Sequence, residues 1–247
     1  MKFVLYTERL TLIPFDEADV DIAIEMFTDP EVLKFTGGVM EEEAVRRELP
    51  NWVRRGGNGC IGVWCITARN SGEKLGTGAL LPMPVEKDDT DWRLLVPGQM
   101  PDDDVEVGYF LKQSAWNKGY ATEACKRLLQ LAFEESPLSE VVASYDAGND
   151  ASRNVLLKSG FVDRGMRRCY GEDGPDHRIT REEWLVATKK RLNFLSFRAM
   201  LILAGTSRAR RAPLPSNNES AGPVVPSCRC STLATLGLAS PRRGSSS

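Results

Sequence analysis

The stretch Asp104-Val-Glu-Val-Gly-Tyr-Phe-Leu-Lys-Gln-Ser-Ala-Trp-Asn-Lys-Gly-Tyr-Ala-Thr-Glu-Ala124 decides the fold, because it reads as strand, tight loop and helix start without a break. Val105, Val107, Tyr109 and Leu111 alternate with Glu106, Gly108 and Phe110, the period of a strand with one uniformly apolar face. Ala121, Ala124, Cys125, Leu128 and Ala132 recur at helical spacing, which predicts a helix over 120–134 with its apolar stripe on a sheet. Between the two, Gly119 permits backbone angles closed to other residues. The helix that follows turns unpaired N–H groups and the positive end of its dipole toward the loop. Such a corner suits an anion with several oxygens. A glycine between strand and helix also serves packing alone, so both readings stand at this point.

A second stretch follows about thirty residues on: Asn149-Asp-Ala-Ser-Arg-Asn-Val-Leu-Leu-Lys-Ser-Gly-Phe161. Together, in this order, the two resemble the Gcn5-related N-acetyltransferase (GNAT) family, and within it the RimJ/RimL-like branch. Thr7-Glu-Arg-Leu-Thr-Leu-Ile-Pro14 looks like that branch's first strand, and Glu183-Trp184 sits where its last strand begins, so the resemblance runs from about residue 5 to 188. It implies that Phe110, Leu111, Trp116, Asn117, Lys118, Gly119, Tyr120, Ala121 and Thr122 hold the acetyl end and pyrophosphate of acetyl-CoA. By the same resemblance Asn149, Ser152 and Lys158 serve the pantetheine arm and the thiol. Two departures stand out. Asn117 occupies a place where a second glycine is frequent, although Asn is next best suited to a left-handed conformation. Leu156 stands where many members carry the tyrosine that protonates the departing thiolate, so the resemblance shifts that role to Ser152, with Asn149 orienting the pantetheine or the acetyl carbonyl. Asn149 and Ser152 are also both preferred helix caps.

The implied chemistry needs neither a metal nor a catalytic triad. A thioester is already activated, so the protein must deprotonate an amine, hold donor and acceptor in line, and stabilise a tetrahedral oxyanion. Backbone N–H groups near Phe110 and Leu111 are candidates for the oxyanion, and Glu106 for the base, through water. A carboxylate on a buried strand can equally pair with a neighbouring cation.

The rest of the chain fits an α/β (α+β) fold with a mixed sheet flanked by helices, and the resemblance implies that the sheet is mostly antiparallel and splayed between the strands at 105 and 140. Strands are expected at 8–14, 60–68, 75–81, 105–111, 140–146, 161–170 and 179–187, and helices near 16–27, 41–55, 120–134 and 151–159. His177 then falls in a turn between the closing strands. Acids gather at Asp88, Asp89, Asp91, Asp102, Asp103 and Asp104, a field that favours a cationic acceptor. Trp52, Trp64, Trp92 and Tyr109 are candidates for an acceptor pocket or for core.

Residues 189–247 hold ten of the chain's 32 Lys and Arg but only one of its 34 acids, Glu219. This divides the chain into a domain over 1–188 and a basic tail, expected to be disordered from about Thr206, with a short helix at Leu192–Ala204. No signal peptide is evident, and the expected location is cytoplasmic. The six cysteines lack metal spacing. The partners implied by the resemblance are acetyl-CoA and an amine, and neither metal, membrane nor nucleic acid is expected, for a monomer or homodimer. An inactive acyl-CoA-binding module is the alternative. A dinucleotide enzyme is excluded by the missing three-glycine fingerprint.

Overall fold

The computed structural model describes residues 3–85 and 87–189. The chain divides into two units; of the second, Glu182–Arg229, residues 182–189 are described and helical. The sheet and all the elements named below lie in the first. The tail and its short helix fall outside the described residues.

The strands are β1 (Leu5–Tyr6), β2 (Leu10–Pro14), β3 (Arg55–Gly56), β4 (Ile61–Ala68), β5 (Lys74–Pro82), β6 (Val105–Leu111), β7 (Glu140–Ala143), β8 (Val162–Cys169) and β9 (Glu172–Thr180). They form one sheet in the order β1-β2-β4-β5-β6-β7-β9-β8, with β3 beside β4. Every pairing is antiparallel except β6 with β7. Every residue of β4 and β6 is buried, which is why their sequences run apolar on both faces rather than on one.

Four helices cover the faces: α1 (Val20–Phe27), α2 (Glu42–Trp52), α3 (Tyr120–Glu134) and α4 (Asp150–Ser159). Side chains alternate across a strand, so β6 serves both layers. Phe110 meets Phe27 of α1 with ring centroids 5.3 Å apart, and Phe27 stacks at 4.9 Å on Trp52 of α2. Tyr109 points the other way, to α4. The stripe expected on α3 is buried from Ala121 to Ala132, and Trp52 and Trp64 are core residues.

Gly76 marks the tightest approach in the sheet. A Cβ there would lie 2.0 Å from the Phe110 carbonyl oxygen and 2.8 Å from the Leu111 Cα. Gly76→Ala is therefore expected to cost about 3 kcal/mol, the upper range for overpacking, read as a lower urea midpoint at unchanged slope.

The order of elements agrees with the sequence reading, and the differences are local. The strand expected at 8–14 is β2, and the two-residue β1 precedes it outside the expected bounds. The expected helix at 16–27 begins as a 3₁₀ turn over Glu17–Asp19, capped by Asp16. β7 is four residues long rather than seven. The largest correction is at the end. The closing hairpin turns at Tyr170-Gly171, with Cys169 opposite Glu172, so β9 begins at Glu172 and the last strand is over by Thr180. Residues 181–187, expected as strand, are helical, and the helix runs on to 189. Thr180-Arg-Glu-Glu183 has the spacing of a capping box, and Glu, Leu and Ala suit a helix. His177 is consequently no turn residue. It lies in β9 opposite Ala143 and Asp163, fully buried, 5.2 Å from the Tyr145 ring.

Among the described residues, no helix is long and apolar enough to cross a membrane, and no cluster has the makings of a metal site. Cys60, Cys65, Cys125 and Cys169 are buried free thiols.

Candidate active site

The site begins where two strands part. β6 and β7 share one register pair, Glu106 with Val142, and β7 ends at Ala143 while β6 runs on to Leu111. On its other side β6 keeps an unbroken ladder with β5, in which Met83 N–H donates to Asp104 O (2.8 Å) and Lys112 N–H to Leu75 O (3.0 Å). Antiparallel ladders bond alternate residues. Even-numbered residues of β6 thus bond β5, and Val107, Tyr109 and Leu111 turn their backbone groups toward β7. Beyond the single pair these face a gap. Trp116 fills part of it by donating its indole Nε1–H to Leu111 O at 2.7 Å. The N–H groups of Tyr109 and Leu111 remain directed into the gap, whereas Phe110 N–H belongs to the β5 ladder.

The loop from Trp116 to Gly119 carries two left-handed residues, Asn117 (φ 60°) and Gly119 (φ 78°). Gly119 is the N-cap of α3 and offers no side chain to its N-terminus. The first helical bond runs from Glu123 N–H to Gly119 O at 3.1 Å, so the N–H groups of Tyr120, Ala121 and Thr122 have no intrahelical acceptor. Lys118 is exposed beside them. Several donors, a dipole end and a cation within one turn fit a polyanion such as a pyrophosphate.

Across the gap, Asn149 caps α4. Its Oδ1 accepts from Ser152 N–H at 3.0 Å, and both residues are fully buried. Capping accounts for Asn149 Oδ1 but not for the serine hydroxyl, which lies 3.1 Å from the Tyr109 hydroxyl; that phenol also donates to Ser152 O at 3.3 Å. Complete burial pushes the Tyr109 hydroxyl well above its ordinary range, so it keeps its proton at any working pH. Tyr109 is the site residue whose role sequence reasoning missed: its alternation placed it in the core, and nothing local revealed Ser152 across the gap. Lys158 is not brought into this group. It is exposed in the last turn of α4, about 9 Å along the axis from Ser152 at 1.5 Å per residue, and Leu156 is core.

Glu106 occupies the opposite face. Its carboxylate is 3% exposed and accepts a hydrogen bond from the Tyr170 hydroxyl. Tyr170 is itself left-handed (φ 53°), as is Gly171 (φ 74°), the geometry of a two-residue hairpin turn that ordinarily selects Asn-Gly. A non-glycine held there is strained, and the strain places a phenol on Glu106. Burial raises the Glu106 pKa well above its ordinary 4.5; Arg167 opposes the rise and Asp89 adds to it.

The acidic run is only partly free to act on a ligand. Hydrogen bonds from Arg93 hold Asp91 well below the usual carboxylate range, and Asp104 pairs with Arg167 at 2.9 Å. Asp89 differs, its pKa raised by burial and by Glu48.

The family model described as "Acetyltransferase (GNAT) domain" matches residues 9–162. The chain is similar to FsC-acetyl coenzyme A-N(2)-transacetylase of Aspergillus fumigatus, 28% identical over 73% of this chain and 77% of that protein. Over a shorter segment, 26% of this chain and 34% of the other, it is 38% identical to the putative ribosomal N-acetyltransferase YdaF of Bacillus subtilis. In fold it resembles a GNAT-family acetyltransferase of Bacillus anthracis, with a TM-score of 0.57 and 20% identity, covering 73% of this chain and 99% of that one. It also resembles the ribosomal L7/L12 α-N-protein acetyltransferase RimL in complex with coenzyme A, with a TM-score of 0.53 and 14% identity, covering 72% and 97%.

Proposed function

Because the chain belongs to the GNAT acetyltransferase family and is an acetyl-CoA-dependent acetyltransferase of RimJ/RimL-like kind, we propose that it acetylates a primary amine, a peptide N-terminus or a small amine, by direct attack in a ternary complex. The observation that carries this reading is Glu106, a buried carboxylate of raised proton affinity at the point where β6 and β7 part. A raised pKa brings a carboxylate closer to the working pH of a general base. The names of the relatives support nitrogen as the acceptor, since both specify N-acetyl transfer.

The two faces of β6 divide the work. On the α1/α2 face, Glu106 takes a proton from the ammonium or the attacking amine through water. The neutral nitrogen attacks the thioester carbonyl carbon, and the N–H groups of Tyr109 and Leu111 receive the developing oxyanion. When the tetrahedral intermediate collapses, the C–S bond breaks and the thiolate leaves toward the α3/α4 face. There Ser152, with Tyr109 bonded to it, gives the thiolate a proton and regains one from water, while Glu106 releases to water the proton it took from the amine. Phosphates rest against the N–H groups of 119–122 and the Lys118 ammonium, which anchors the donor far from the reacting atoms. Asp89 and Glu48 give the acceptor side a negative bias that favours a cation.

Thiol release from acetyl-CoA, measured over a panel of N-terminal peptides, polyamines and aminated small molecules, tests the proposal. Turnover at least about 100-fold above the amine-free rate is expected for one class, the scale of a general-base contribution. Tight coenzyme A binding with no turnover on any amine would make the chain a binding module instead.

A further inference from the structure

Arg9 belongs to the stretch read as a first strand and is given no role in the site, yet it is tied to the anion loop by several contacts. Its Nη1 donates to Lys118 O at 2.8 Å, its Nε to Glu123 Oε2 at 2.6 Å, and its guanidinium carbon sits 4.7 Å from the centre of the Tyr120 ring. The backbone N–H of Arg9 donates to Glu123 Oε1 at 2.9 Å, and the Thr7 hydroxyl to the same oxygen at 2.6 Å. The N-terminal arm that precedes β2 therefore grips the first turn of α3 across more than a hundred residues of sequence.

From this geometry we infer that Arg9 is a positioning residue for donor binding, acting through the Lys118–Gly119 peptide; the inference rests on the coenzyme A reading of the loop. A trans peptide is planar, with its C=O and the following N–H on opposite sides. Fixing Lys118 O on Arg9 turns Gly119 N–H away from Arg9, toward the side where Tyr120, Ala121 and Thr122 leave their own N–H groups unclaimed. Among the described residues, no other side chain bonds to that peptide. It is flanked by left-handed Asn117 and Gly119 in an exposed loop, where other orientations cost little.

Glu123 has a second role in the same device. A carboxylate in the first turn of α3 would repel phosphates bound at that turn. Arg9 neutralises it at 2.6 Å, so that the carboxylate anchors the guanidinium while the loop keeps its positive field. Burial pushes the Glu123 pKa up, but the bonds from Thr7 and Arg9 outweigh it and leave the group below its ordinary 4.5.

The test compares Arg9→Met and Glu123→Ala with the full-length parent, using titration calorimetry with coenzyme A and steady-state kinetics. Arg9→Met keeps the apolar stem over Tyr120 and removes the guanidinium. It is expected to weaken coenzyme A binding and raise the acetyl-CoA KM about 10-fold or more, with kcat and the amine KM within twofold at saturating donor. Glu123→Ala separates the two ways in which Arg9 could act. If Arg9 positions the peptide, releasing it from Glu123 also weakens binding, and the double variant is no worse than either single one. If Arg9 touched the phosphates itself, deleting the neighbouring carboxylate would tighten binding, and that result overturns the inference. Equal binding by Arg9→Met and parent overturns it as well, and so does an equal loss in kcat and in both KM values. A parent that fails to bind coenzyme A at all would instead sink the reading on which the inference rests. Melting temperatures and the amide resonance of Gly119 report whether a loss comes from the loop or from the fold.

Discussion

Gly119→Glu is expected to raise the acetyl-CoA KM by at least about 100-fold and to abolish measurable coenzyme A binding at micromolar concentrations. Three effects act in the same direction. Gly119 sits at φ 78°, and moving a side chain into that region costs about 1–2 kcal/mol. A carboxylate at the N-cap of α3 occupies the helix end that would otherwise receive phosphate oxygens, and each charge-assisted bond lost there is about 1.5–3 kcal/mol. The new side chain also emerges toward Arg9, whose Nη2 lies 3.5 Å from the position of a Cβ, and so competes for the guanidinium that holds Lys118 O. Since every 1.4 kcal/mol is tenfold, a loss of two decades needs only about 3 kcal/mol. The Cβ meets no backbone, so the fold survives. Gly119→Asn is the control: Asn tolerates the left-handed region and adds no charge, and a loss of less than tenfold is expected. Calorimetry with coenzyme A, alongside a thermal melt, reads both variants. Parent-like binding by Gly119→Glu would dismiss this loop as the phosphate site.

The second large effect is expected from Glu106→Gln. As a general base Glu106 contributes on the order of 100-fold or more, so kcat/KM should fall by about that factor and its acidic limb should vanish. The direction of the pH dependence follows from burial. The folded protein binds this proton more tightly than the unfolded chain, since the pKa is raised above the ordinary 4.5. The stability contribution of the group is thus fully present below about 4.5 and is lost as pH rises through the raised folded value. The active form of the base accumulates over that same rise, so the parent gains rate while it loses stability. Glutamine is neutral throughout and still accepts the Tyr170 bond. The variant should therefore match or exceed the parent in urea resistance at pH 8 while remaining nearly inactive. A pH profile identical to the parent's would remove Glu106 from the mechanism and leave it as a partner of Tyr170 and Arg167.

What could be read from residues alone followed from physics that is local in sequence. The strand at 105–111 and the helix at 120–134 were legible because their periods of two and 3.6 run uninterrupted and because a glycine punctuates them. Asn149 was legible as a cap. The hairpin at Tyr170-Gly171 was not, since Tyr is a poor residue for a left-handed turn and gives no turn signal. In the fold Tyr170 bonds through its hydroxyl to Glu106 and through its N–H to Pro84 O, contacts between positions far apart in sequence. Missing that turn displaced the last strand, moved His177 from a buried strand to a loop, and turned the helical residues 181–187 into strand. The same blindness to distance hid the pairing of Tyr109 with Ser152. Arg9 fared no better: its letter sits in a stretch legible as a first strand, and only the fold brings it to Lys118.

The parting of β6 from β7 bears on how such a chain can change over time. The donors proposed for the acyl group are main-chain N–H groups, at Tyr109 and Leu111, and no exchange of side chain short of proline deletes them. The charges proposed to favour the acceptor are the reverse, carried on the side chains of Glu48 and Asp89, which point mutation can rewrite. Drift can therefore retune which amine is welcomed without touching the means by which the thioester is held. In a lineage descended from this chain, the handling of the acyl donor should be the slowest property to be lost and the choice of recipient the quickest to move.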